Sequence, residues 1–174
     1  MAGATVWRAG LKRNMTRKRL KKDNVEPKNL HPLEIEYLEK VLDQGFPMMN
    51  LKNDTAFWRL MGTNNDFNTS VVVTIVSSHS AYKIETFFNV IFMKVKAGEI
   101  FQSCLQKMYN KFIDALVAEN NVTLLENLFE INFQEWKGDD FDPKMENLPA
   151  LVKACMSNNY DIVKVLVANG FLLR

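Results

Sequence analysis

A mostly α-helical fold, assembled from helix–turn–helix units, is what this sequence predicts, and three observations carry the prediction. Apolar residues recur at helical spacing over Pro32–Leu42, over Ile100–Phe112 and over Ile162–Val167. Asparagine pairs, Asn120-Asn121 and Asn158-Asn159, separate consecutive apolar stretches. The second unit repeats the first at an offset of 38 residues, from Val117 to Cys155.

Taken in chain order, residues 1–30 are expected to be a basic disordered arm centred on Arg17-Lys18-Arg19-Leu20-Lys21-Lys22. Pro32 to Leu42 follows as an amphipathic helix, with Leu33, Tyr37, Leu38, Val41 and Leu42 on its apolar stripe and Gly45 as its stop. Asn53 to Met61 reads as a short helix, and Gly62 to Ser70, rich in Asn and Thr, as a polar loop. The β-branched run Val71–Val76 is strand-like. The apolar run Phe87–Val95 is compatible with either a strand or a buried helix. Residues 61–98 are therefore expected to be an irregular, strand-containing insertion within degenerate helices spanning 31–98. Helical spacing resumes after Glu99, with Ile100, Cys104, Leu105, Met108 and Phe112 on one side.

Residues 99–174 carry the repeated design. In the last unit Pro149 suits the first turn of a helix, where its missing N–H is no loss. Ala154 and Cys155 are a small pair that lets two antiparallel helices approach closely. Asn158-Asn159 suits a helix end in the left-handed region. Asp161 opens a second helix at the positive end of its dipole, and Ile162, Val163, Val165, Leu166 and Val167 supply its apolar face. Gly170 ends it. The order P-A-L-x-x-A-C-x-x-N-N-x-D-I-V-x-V-L-V-x-x-G resembles the body of an ankyrin repeat. A generic helical hairpin is the alternative. The preceding copy places Leu116 and Val117 at the small-pair positions, Asn120 and Asn121 at the turn, and Leu124, Leu125, Leu128 and Phe129 on the second helix. Its bulky pair makes it degenerate. The 38-residue offset exceeds the typical ankyrin period of about 33, with the surplus in the polar, turn-rich connector Gln134 to Asn147.

Composition bounds the function. Apolar content of 47% and charged content of 24% are ordinary for a globular protein of this length. The net charge of +2 is unevenly spread: residues 1–28 carry a net +7 and the remainder a net −5. The basic arm has a solvated-tail reading, a nuclear-address reading, and a reading as a contact with an anionic membrane surface through Arg17, Lys18, Arg19, Lys21 and Lys22. With Trp7 as its sole aromatic, it offers little base stacking, so nucleic acid is not favoured. Cys104 and Cys155 fall on expected helices, and no signal-peptide pattern opens the chain. A reducing cytosolic setting with buried thiols is expected, and the sequons at Asn14, Asn53, Asn68 and Asn121 are read as chance.

Local chemistry is sparse. His31 and His79 stand far apart without cysteine or carboxylate neighbours at metal-ligand spacing, so no metal site is expected. The glycines are isolated and make no phosphate-cradling loop, so no cofactor is expected either. Asp139, Asp140 and Asp142 lack the glycine and terminal glutamate of a calcium loop and read as solvated turn residues. No catalytic residues can be named, and the chain is not expected to be an enzyme. No apolar stretch approaches the roughly 20 residues of a membrane-spanning helix.

A narrower resemblance follows from the last unit. Asn158-Asn159-Tyr160-Asp161-Ile162-Val163-Lys164-Val165-Leu166 resembles the N-N-Y-E-I-[IV]-K-x-L run of short transient receptor potential (TRPC-type) cation channels. Phe141-Asp142-Pro143-Lys144-Met145 is similar to that family's F-x-P-D-I, and Leu33 to Gly45 to its opening helix. Asn53 to Phe57 is faintly similar to its G-R-T-A-L. Residues 61–98 do not match, and the pore-bearing domain has no counterpart. The resemblance implies a cytosolic ankyrin-repeat region of a calcium-permeable cation channel. Its implied partners are other channel subunits or channel-associated proteins, at the cytosolic side of the plasma membrane. A free-standing ankyrin adaptor, cytosolic or nuclear, is the alternative expectation.

Overall fold

The computed structural model describes residues 32–33, 36–37, 40, 51–131 and 148–171. The basic arm, including Arg17, Lys18, Arg19, Lys21 and Lys22, lies outside the described residues, as do Gly45 and the 132–147 connector with its aspartates. The described residues of the Pro32–Leu42 stretch are helical. From Thr55 onward the described residues form seven helices and no strand: α1 (Thr55–Thr63), α2 (Asn65–Ser77), α3 (Ala81–Lys96), α4 (Gln102–Ala118), α5 (Val122–Glu130), α6 (Leu148–Met156) and α7 (Tyr160–Ala168). The chain divides into two compact units, residues 1–74 and 75–174.

In the first unit, Asp54 caps α1 by accepting from the N–H groups of Ala56 and Phe57, both at 3.1 Å. Its other carboxylate oxygen accepts from the Tyr37 hydroxyl. Burial chiefly, then that hydrogen bond and the carboxylate's charge, hold the Tyr37 hydroxyl protonated well above the usual phenol range. Phe57, Trp58 and Phe67 pack edge to face, with Phe57 to Phe67 centroids 5.7 Å apart. The buried Trp58 indole is satisfied by donating to the Leu51 carbonyl at 2.7 Å.

Two expectations are corrected here. The polar stretch 62–70 is not a loop, and 71–96 holds no strand. Asn64 ends α1 and caps α2, accepting from Asp66 and Phe67 N–H groups at 3.1 and 3.0 Å. The hydroxyls of Thr69, Ser70 and Thr74 donate to carbonyls four residues back, at 2.8, 2.9 and 2.9 Å, which lets polar residues sit within a helix. Val71, Val72, Ile75 and Val76 are buried at positions i, i+1, i+4 and i+5, one stripe of a helix rather than one face of a strand. In α3 the buried Ile84, Phe87, Phe88 and Ile91 follow i, i+3, i+4, i+7. Burial at helical period outweighs the β-preference of the branched and aromatic side chains.

In the second unit α4 is central. It packs against α3, α5 and α6, while α7 packs against α5 and α6 and α3 against α5. In its core Phe112 lies 5.3 Å from Phe87 and 5.1 Å from Phe88, centroid to centroid. Leu116, Leu125, Leu128, Ala154, Ile162 and Leu166 are buried as well. Each fully buried aliphatic side chain contributes about 1.5–3 kcal/mol of transfer free energy. Thus α4–α5 and α6–α7 are two antiparallel hairpins lying side by side, first helix on first and second on second.

Candidate functional site

The hairpins meet along one edge made of turns, and each turn is built by two adjacent residues. Asn120 adopts φ 57° and Asn158 φ 53°, the left-handed conformation that asparagine tolerates better than most residues. The Asn120 and Asn121 N–H groups donate to the Val117 and Leu116 carbonyls at 3.1 and 3.0 Å; Asn158 and Asn159 do the same to Cys155 and Ala154. This closes each first helix in a Schellman motif with asparagine where glycine is usual. Asn121 and Asn159 then cap the second helices, their side-chain oxygens accepting from Leu124 and Ile162 N–H groups at 3.1 and 3.3 Å. Gly170, at φ 90°, closes α7 in the same motif.

A further turn of this construction was not legible as one in the sequence. His79 has φ 51° between α2 and α3, and the Ser80 hydroxyl caps α3 by accepting from the Lys83 N–H at 3.3 Å. The available signal was the polar Ser77-Ser78-His79-Ser80 run flanked by apolar stretches, with serine at a helix start.

Side chains tie the turns together. The Asn159 amide donates to the Asn120 side-chain oxygen. The Asn121 amide lies 3.1 Å from His79 Nδ1. Because the Asn121 oxygen already accepts from Leu124 N–H, its NH2 group is the one that faces His79 Nδ1. The Ser77 hydroxyl donates to Glu119 at 3.0 Å. The result is a polar edge in which the left-handed residue of one turn bonds the capping residue of the next.

Between the hairpins, Lys153 lies 3.7 Å from Asp114 Oδ1, an ion pair too long for a hydrogen bond. That oxygen is buried without a hydrogen-bond partner. Burial raises the Asp114 carboxyl above the usual range, and Lys153 offsets only part of the effect. Cys104 is buried and its thiol is pushed up by desolvation, Lys107 and Lys111 opposing; Cys155 is exposed, contrary to the expectation of two buried thiols.

Among the described residues no group of three or more His, Cys, Asp or Glu is placed to hold a metal ion. No helix among them is long and apolar enough to cross a membrane. Exposed large apolar side chains occur on the last hairpin, at Val152, Met156, Tyr160 and Val167, and elsewhere at Leu33, Tyr82, Met93 and Phe101. Compared with known proteins, the chain matches no family model, no curated protein and no solved structure.

Proposed function

We propose that this chain is a protein-binding scaffold of ankyrin-like helical hairpins, and that it serves subunit assembly and partner docking in a TRPC-like, calcium-permeable cation channel. The observation that supports the scaffold reading best is the side-by-side stacking of α4–α5 on α6–α7, first helix on first and second on second. The channel reading rests on the run Asn158 to Leu166 alone. In such a channel the partners are other subunits or channel-associated proteins at the cytosolic face of the plasma membrane. There Arg17, Lys18, Arg19, Lys21 and Lys22 would add about 1 kcal/mol each of attraction to an anionic leaflet. The 38-residue offset and the bulky Leu116-Val117 pair set these hairpins apart from a typical ankyrin period of about 33.

The second reading is a free-standing adaptor with the basic arm as a nuclear address, favoured by the arm's +7 charge. Sequencing the full transcript separates the two. The channel reading expects about six membrane spans encoded in the same frame. A stop codon after Arg174, with a tagged protein that concentrates in nuclei and is absent from membranes, selects the adaptor.

A further inference from the structure

We draw no further inference here: the strongest candidate, the outward stripe of α3 that exposes Tyr82 and Met93, is an unpartnered apolar face, and nothing in the structure shows what covers it.

Discussion

Asparagine does three jobs within a few residues here, and each has a separate energetic signature. Asn120 and Asn158 hold left-handed backbone, Asn121 and Asn159 satisfy helix N-termini, and Asn120 is linked to Asn159 across the hairpins. Replacing Asn158 with Ala is expected to cost about 1–2 kcal/mol through the left-handed backbone, and replacing it with Gly almost nothing, as read by urea unfolding. Equal losses for the two would show that backbone conformation is not what Asn158 contributes. Gly62 makes the opposite case. A Cβ there would meet nothing within 4 Å, and the residue lies in α1, so Gly62→Ala should stabilise by about 0.5–1 kcal/mol in the same assay. Asp114 gives a pH signature. Its folded carboxyl binds a proton more readily than the ordinary value of 3.8, so the folded state holds more protons than the unfolded one just above that pH. Stability should therefore fall as pH rises from 3.8 through the raised value, and that share of the slope should vanish in Asp114→Asn. A slope unchanged by the substitution would assign the effect to other groups. At this scale the sequence was informative where asparagines came in pairs and weaker at His79, whose backbone does the same within the polar Ser77 to Ser80 run.

Elements were legible where amphipathic period and caps agreed, and illegible where composition argued against period. The turns at Asn120-Asn121 and Asn158-Asn159 and the glycine stop at Gly170 lie between and after helices as their residue types suggest. Val71–Val76 misled because β-branching is read residue by residue, whereas burial acts on the stripe Val71, Val72, Ile75, Val76. The Asn and Thr of 62–70 misled because a helix cap and a loop draw on the same residues, and hydroxyls bonded four residues back are invisible in sequence. A pair of substitutions at the half-buried Val73 in α2 separates helix from strand. Val73→Pro should cost about 3 kcal/mol or more, and Val73→Ala should cost little, because alanine regains helix propensity. A larger loss for alanine than for proline, measured by thermal unfolding, would favour the strand.

At the scale of the molecule, the repeated geometry matters more than any one contact. Residues 38 apart take the same place at the ends of α4 and α6 and the starts of α5 and α7, and the two hairpins pack on one another. The offset was readable in sequence, while the exposure of Cys155 was measurable only once neighbours were in place. The most direct check is a nuclear Overhauser spectrum of the phenylalanine-labelled chain. Phe129 at the end of α5 and Phe171 beyond α7 have ring centroids 5.5 Å apart, although 42 residues separate them in sequence. Stacked hairpins predict ring-to-ring cross-peaks between these two residues that disappear in Phe171→Leu. A helical spectrum with no cross-peak between residues 112–131 and 148–171 would contradict the stack, and the scaffold reading with it.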